Sequence, residues 1–133
     1  MLVVAERLGD EKVNQKPLGP HTNSVAVLIT HCCGLTEFWL GYVALGRPTD
    51  RDRDAEFTAT ATVAELRAMV GTTLAQTTDD LVRIDNGEAR IDPAWCKGLA
   101  GDDATDGGVV LHVIEELYQH LGHMELAADA LAG

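Results

Sequence analysis

The residues best suited to chemistry lie near the C-terminal end, where three histidines and a glutamate follow one another. They are His112, Glu116, His120 and His123, at intervals of four, four and three residues. Residues three or four apart on an α-helix lie one turn above each other on the same face. Any neighbouring pair of this set could therefore bind one metal ion, and the spacing alone leaves the pair undecided.

The hydrophobic pattern of the same stretch favours Glu116 and His120 as the pair that faces inward. A step of about 100° per residue places them at the edge of the apolar stripe and turns His112 and His123 toward the polar side. A carboxylate at the edge of a core is costly without a positive partner, and this stretch contains no Lys or Arg. A divalent cation would supply the missing charge.

His31 is a third candidate ligand, far upstream on the apolar face of another predicted helix. No polar side chain within one turn on that face can satisfy both of its ring nitrogens, so we expect a partner from across the bundle. If the two helices pack side by side, His31, Glu116 and His120 provide two imidazoles and one carboxylate. Three protein ligands leave coordination positions open for water or substrate. The alternative, a hydrogen-bonded core histidine and an ordinary Glu–His helix pair, stays open at this point.

The remaining histidines have simpler interpretations. His112 and His123 are predicted to be solvated or to hydrogen-bond to a metal ligand. His123, one turn from His120, is the candidate proton carrier, on spacing alone. His21 falls in a predicted loop and is assigned no role.

The cysteines are odd in number and lack zinc-finger spacing. Adjacent cysteines rarely bridge each other, so Cys32, Cys33 and Cys96 are predicted to be reduced. Cys32 is expected to fill the core, whereas Cys33 is expected to point away from it as an exposed thiol.

Three segments with helical periodicity must position these residues. They span residues 24–45, residues 62–86, opened by a capping box of Thr62 and Glu65, and residues 107–131. The predicted core positions of the second are Val63, Leu66, Met69, Val70, Leu74 and Leu81, and those of the third are Val110, Val113, Ile114, Leu117, Leu121, Met124 and Ala128. Residues 2–8 add only about two turns. Residues 46–56 are predicted to be a solvated connection without chemistry, and residues 86–108 a loop that covers a site.

The composition and net charge of the chain limit the classes of function that fit it. The chain has 133 residues, 46% apolar and 23% charged, which predicts a single globular domain over 1–133. Ten Lys and Arg against 21 Asp and Glu give a net charge of −11, which disfavours nucleic acid and anionic membranes. The opening residues are too short an apolar run for a signal peptide or a membrane span. We therefore expect a cytoplasmic, all-α protein.

Two stretches, THCCGLTEFWLG around His31 and VVLHVIEELYQHLGHMEL near the C-terminus, resemble the DinB-like helical-bundle superfamily. They look most like the branch that contains the N-terminal domain of mycothiol-dependent maleylpyruvate isomerase and uncharacterised actinobacterial relatives. The Glu-x-x-x-His-x-Gly-His/Gln signature of that branch falls on Glu116, His120, Gly122 and His123. The resemblance covers most of the chain.

The resemblance implies a four-helix bundle, a divalent metal held by His31, Glu116 and His120, and a homodimer. It also implies a small-molecule or thiol substrate, since some relatives use mycothiol or bacillithiol. Two departures matter. The first helix is shortened, so that either the recorded start is late or a partner chain fills the groove, and the isomerase's larger C-terminal domain is missing, so its substrate does not transfer.

The leading hypothesis from the sequence is a metal-dependent thiol transferase or isomerase of the mycothiol type. Two histidines and one carboxylate suit zinc or nickel, and ferrous iron as well. One alternative is a non-catalytic helical module that binds metal or dimerises. Another is a hydrolase that uses metal-activated water.

Overall fold

The computed structural model describes residues 1–17, 19–92 and 105–132, and over these residues the chain forms helices and no strand. In chain order they are α1 (Leu2–Lys12), α2 (Val25–Thr36), α3 (Arg53–Glu56), α4 (Val63–Asp85) and α5 (Asp106–Ala132). Helix α2 runs on directly as a π-helical segment, Glu37–Ala44. The predicted all-α bundle is confirmed. Cys96 and residues 93–104 of the predicted covering loop lie outside the described residues.

Helix α2 is the centre of the fold and packs against α1, α3, α4 and α5. Its first turn is fixed by Ser24, whose hydroxyl accepts a hydrogen bond from the backbone N–H of Val27. The prediction that Cys33 is exposed was wrong, because its exposed fraction is only 8%. A central helix is covered on every side, whereas the periodicity argument assumed one buried face.

The apolar stretch Val25–Ala44 is long and apolar enough to cross a membrane by length and composition. Within the fold, however, 72% of its most apolar window is buried. Its place at the centre of the bundle accounts for this composition, since a helix that is apolar all round is typical of a core.

Helix α4 begins as predicted, since Thr62 and Glu65 form the reciprocal capping box. Its predicted core stripe was partly wrong: Leu74 is 60% exposed and Leu81 39%. Thr73 and Asp80 are buried in their place. Both find partners inside the bundle, and a pattern argument that counts polar residues as outward-facing misses such pairs.

Helix α5 shows the same kind of departure. Ile114, a predicted core residue, is 44% exposed, whereas Val109 is buried at 4%. Val113, Met124 and Ala128 are buried as predicted. The true stripe is therefore turned slightly, and this rotation affects which histidines face the interior.

The continuous part of helix α1, residues 2–8, has about the two turns predicted, and the whole of α1 is shorter than α4 and α5. Gly9 interrupts it with a φ of 66°, in the left-handed region that glycine adopts without strain. The helix buries Val4 and Ala5 and contacts both α4 and α5. It thereby holds together the two long helices that flank α2.

Candidate metal site

Three predicted ligands meet where α2 and α5 pack together. One ligand atom from each of His31, Glu116 and His120 lies within 4.8 Å of the others. The His31 and His120 rings are 4.9 Å apart between centroids, and Nε2 of His120 is 3.4 Å from Oε2 of Glu116. His31 is buried and the other two are half-buried. Side chains from distant parts of the sequence thus form one compact donor cluster.

The state of His120 fits a divalent cation at this position. Its Nδ1 atom is buried without a hydrogen-bond partner among the described residues. Burial, and next the nearby His31, lower the pKa of the His120 imidazole below its usual 6.5, although Glu116 opposes the shift. At neutral pH the ring is therefore uncharged and has a lone pair available. Neutral imidazoles with a carboxylate are a donor set that zinc and related cations accept.

A partner of His31 that the sequence analysis missed comes from the connection after α2. Oε2 of Glu56 lies 2.8 Å from Nδ1 of His31, and Glu56 is only 7% exposed. Nε of Arg51 donates to Oε1 of the same carboxylate at 2.6 Å. The prediction of a solvated connection was therefore wrong at Arg51 and Glu56, which fold against α2 beside the site, whereas residues 48–50 and 52–55 are exposed as predicted.

The charge of Glu56 follows from these contacts. Burial alone, the largest influence, would raise its pKa, but the hydrogen bonds from Arg51 and His31 outweigh it and leave the pKa below the usual 4.5. Glu56 is therefore an ionised carboxylate inside the fold, which is tolerated only when it is paired and hydrogen-bonded.

One sequence signal could have pointed to this carboxylate. A Cβ built on Gly34 would overlap Oε1 of Glu56, so the acid reaches α2 only where a side chain is absent. Gly34 stands one turn after His31, for which the sequence predicts a partner from another segment. A glycine inside a long apolar helix, one turn from an unpaired histidine, indicates a close approach by another segment.

A cavity of about 440 Å³ opens beside the donor cluster. His31 and Glu116 lie on one side of it, and Arg51 and Arg53 are among its other lining residues. Leu35, Phe38 and Trp39 give it an apolar wall. A ligand in this cavity would contact the candidate metal site and an aromatic surface at the same time.

The other two histidines of α5 differ from each other. His112 lines the cavity and is buried to the same degree as His120, with exposed side-chain fractions of 16% and 15%. The prediction that it turns toward the polar side was wrong, because α5 is rotated and the His112 ring packs 4.7 Å from the Trp39 ring. His123 is exposed and lines a different cavity, with its ring 5.7 Å from that of His120. Its role as a proton carrier stays a prediction.

Cys32 and Cys33 form no disulfide within the part of the chain that the structure describes, and both are buried. Burial, followed by the neighbouring Cys33, raises the pKa of the Cys32 thiol to about 12. Burial likewise raises the pKa of Cys33. Since the thiolate is the nucleophilic form, neither thiol is an effective nucleophile at neutral pH.

Comparison with protein families identifies the chain. The family model described as mycothiol-S-transferase matches residues 1–133. The protein belongs to the mycothiol-S-transferase family. This confirms the resemblance to the DinB-like superfamily, to which the family belongs. Comparison with curated proteins and with solved structures gave no match.

Proposed function

We propose that this member of the mycothiol-S-transferase family is a metal-dependent enzyme that transfers a low-molecular-weight thiol, of the mycothiol type, to an electrophilic carbon. The observation that carries the proposal is the convergence of His31, Glu116 and His120 within 4.8 Å beside a cavity of about 440 Å³. Membership of the family supports the thiol.

The three side chains act in this proposal as ligands and not as general bases. A divalent cation in their midst, with zinc or nickel the preferred candidates, would lower the pKa of a bound thiol and favour the thiolate at neutral pH. His31 and Glu116 line the cavity, so a cation that they bind would lie at the cavity wall. The substrate thiol loses its proton to solvent, and its sulfur forms a bond to the acceptor carbon as the leaving group departs with its electron pair.

The protein's own described thiols support an external nucleophile. Cys32 and Cys33 are buried, and their pKa values are raised. A reaction that proceeds through a protein thiolate would need the opposite environment, with positive charge and access to solvent. In this proposal the substrate supplies the sulfur that reacts.

The apolar side of the cavity gives the acceptor a place to bind. Phe38 and Trp39 pack edge to face, with ring centroids 5.6 Å apart, and Trp39 is 7% exposed. Together with Leu35 they form a rigid surface on which an apolar carbon skeleton loses contact with water. In this proposal the apolar wall orients the acceptor carbon toward His31 and Glu116.

Two further properties belong to the same proposal. We propose a cytoplasmic location, in keeping with the absence of a disulfide at Cys32 and Cys33 among the described residues. We also propose a homodimer, supported by large apolar side chains on the outer faces of α4 and α5, such as Leu74, Leu111 and Tyr118, with exposed fractions of 60%, 67% and 73%. Sedimentation of the purified protein tests the second property.

The metal is tested first. Elemental analysis of protein purified without a histidine tag is expected to give about one divalent ion per chain, and His120→Ala is expected to lose it. His21→Ala is the matched control, because it removes an exposed histidine away from the cluster. Equal metal content in the wild type and His120→Ala would refute the site.

Turnover is tested second, with mycothiol and a fluorogenic alkyl halide as the acceptor. The wild type is expected to form the thioether, and complete chelation is expected to stop the reaction, with activity restored by zinc. Full activity after chelation would refute the metal mechanism, and no thioether from the zinc-loaded wild type would refute the transferase.

A further inference from the structure

A buried chain of three side chains ends on the candidate ligand His31. Arg51 donates twice to Glu56, from Nε to Oε1 at 2.6 Å and from Nη2 to Oε2 at 2.9 Å. The second carboxylate oxygen also lies 2.8 Å from Nδ1 of His31. The exposed side-chain fractions of His31, Glu56 and Arg51 are 8%, 8% and 13%. The contacts are therefore largely shielded from water.

These contacts decide where the His31 ring carries its proton. A guanidinium is always charged and only donates, and a carboxylate that accepts two hydrogen bonds from it is an acceptor at both oxygens. Nη2 of Arg51 also lies 3.5 Å from Nδ1 of His31, but Oε2 of Glu56 is much closer at 2.8 Å, and this shorter contact favours a proton on Nδ1. In a neutral imidazole with this proton, the lone pair lies on Nε2.

The ring is also restrained from other sides. The Phe57 ring lies 5.0 Å from that of His31, and the His120 ring lies 4.9 Å away on edge. Gly34 leaves the space in which the Glu56 carboxylate sits, because any Cβ at that position would overlap it. Backbone, aromatic and charged contacts thus define one place and one direction for the imidazole.

We propose that Glu56, held by Arg51, is a positioning residue that fixes the His31 ring with Nδ1 protonated and Nε2 free to bind the cation. The inference rests on the proposed function, since it takes His31 as a metal ligand. A carboxylate or carbonyl that accepts from the second nitrogen of a ligating histidine orients the ring and raises its basicity. Glu56 is far from the ligands in sequence, and the fold alone brings it to this position.

The competing explanation is that Glu56 only fastens its segment to α2. The chain contains a matched control for this, since Asp80 is also a buried carboxylate that accepts from both terminal nitrogens of an arginine, Arg47. Among the described residues, Asp80 hydrogen-bonds to Arg47 and Gln76 and to none of the three ligands. Asp80→Asn and Glu56→Gln therefore make the same change of charge at two buried pairs, only one of which touches His31.

The first experiment measures the proton position without metal. Nitrogen NMR of metal-free protein with labelled histidine is expected to show His31 as the Nδ1–H form in the wild type and in Asp80→Asn. Glu56→Gln is expected to show a mixture of the two forms. A wild-type His31 with its proton on Nε2 would overturn the inference, whatever the metal content of the protein.

The second experiment measures zinc affinity by competition with a chelator. Glu56→Gln is expected to weaken zinc binding about 10–100-fold, whereas Asp80→Asn is expected to leave it unchanged. Equal affinity in the wild type and Glu56→Gln overturns the inference. A wild type that binds no zinc refutes the proposed function instead, and the NMR result still stands on its own.

A variant that keeps the charge covers the case in which Glu56→Gln does not fold. Arg51→Lys retains a positive charge beside Glu56 but loses the two-fold hydrogen bonding. It is expected to give a folded protein with intermediate zinc affinity and a partly mixed His31 proton position. Wild-type values for both quantities in Arg51→Lys would show that Arg51 does not hold Glu56 in place for His31.

Discussion

Two buried pairs of an arginine and a carboxylate fasten the connection after the π-helical segment to the rest of the bundle, and they serve different ends. Arg51 binds Glu56 at Gly34, and Arg47 binds Asp80 at Gly41. At each glycine an added Cβ would overlap the pair, with the Glu56 carboxylate in the first case and the Arg47 guanidinium in the second. We call them the Glu56 pair and the Asp80 pair.

The difference between the pairs lies in their third partner. The Glu56 pair continues to His31, whose Nδ1 is 2.8 Å away. The Asp80 pair continues to Gln76, which donates to Oδ1 of the aspartate at 3.0 Å on the same helix. One pair is therefore connected to the candidate metal site, and the other ties the connection to α4. The two pairs have similar charges and similar burial, so only the third contact shows which pair reaches the candidate metal site.

The largest effect is expected from breaking the Asp80 pair. Arg47→Met leaves Asp80, which is 1% exposed, without its positive partner. Removal of one member of a buried ion pair costs about 3–5 kcal/mol, and the lower end applies because the Arg47 side chain is 29% exposed. Urea unfolding at neutral pH measures the loss, and the zinc affinity of the folded fraction is expected to stay at the wild-type value.

Arg83→Met is the control for Arg47→Met. Its partner Glu88 is 2.8 Å away, and both side chains are 45% exposed. Such surface pairs contribute about 0–1 kcal/mol. If Arg47→Met is no less stable than Arg83→Met, the Asp80 pair does not stabilise the fold.

Alanine substitutions at the two glycines distinguish the Glu56 pair from the Asp80 pair. Gly34→Ala and Gly41→Ala each force a side chain into occupied space, for which about 1–3 kcal/mol of lost stability is expected. Only Gly34→Ala displaces the carboxylate beside His31, so only this variant is expected to lower zinc affinity as well. Urea unfolding and chelator competition on the same samples measure both quantities.

Gly71→Ala is the control for the glycine variants. Gly71 lies within α4, and a Cβ there would meet nothing within 4 Å. Alanine is favoured over glycine inside a helix by about 0.5–1 kcal/mol, so this variant is expected to gain stability. Equal zinc affinity in Gly34→Ala and Gly41→Ala would argue against a special role for the Glu56 pair.

The sequence predicts the helices, and the three side chains that meet between α2 and α5, because local spacing carries both signals. Periodic apolar residues and the capping box at Thr62 mark the helices. Glu116 and His120, one turn apart, and an unpaired polar residue at His31 made these three side chains candidates, the family resemblance implied the same set, and the fold brings them together. Each of these signals depends only on residues within a few turns of one helix.

The two pairs were missed because nothing local distinguishes them. Glu56 lies 25 residues from His31, and Asp80 lies 33 residues from Arg47. In residues 46–56 acids and bases alternate around a proline, which is also typical of a solvated loop. Whether a given charge is buried depends on the approach of another segment, and only the fold determines that.

A smaller effect is expected on the reactivity of Cys33. This thiol shares a cavity wall with Gly34, Arg51 and Glu56, and its burial raises its pKa. Glu56→Gln loosens that wall, so iodoacetamide is expected to modify Cys33 several times faster than in the wild type. Mass spectrometry of the digested protein measures the rate, with Cys32 as an internal reference that stays slow.

Asp80→Asn provides the comparison for the alkylation rates. The Asp80 pair packs against Gly41, in the π-helical segment that continues α2. Asp80 does not line the cavity that Cys33 lines. The rate at Cys33 is therefore expected to match that of the wild type. A similar acceleration in both variants would mean that the thiol reports general loosening of the bundle and not the state of the Glu56 pair.

The smallest effect is the pH dependence of stability that Glu56 contributes. Its pKa in the folded protein is below the usual 4.5, so the unfolded chain binds its proton first as pH falls. The contribution is fully present above pH 4.5 and is lost as pH falls through the folded-state value. Glutamine at this position does not titrate, so the stability difference between the wild type and Glu56→Gln is expected to narrow below pH 4.5. Urea unfolding of both proteins from pH 7 to about pH 3 measures this difference, and a difference that stays constant or widens in acid would contradict an ionised, paired Glu56.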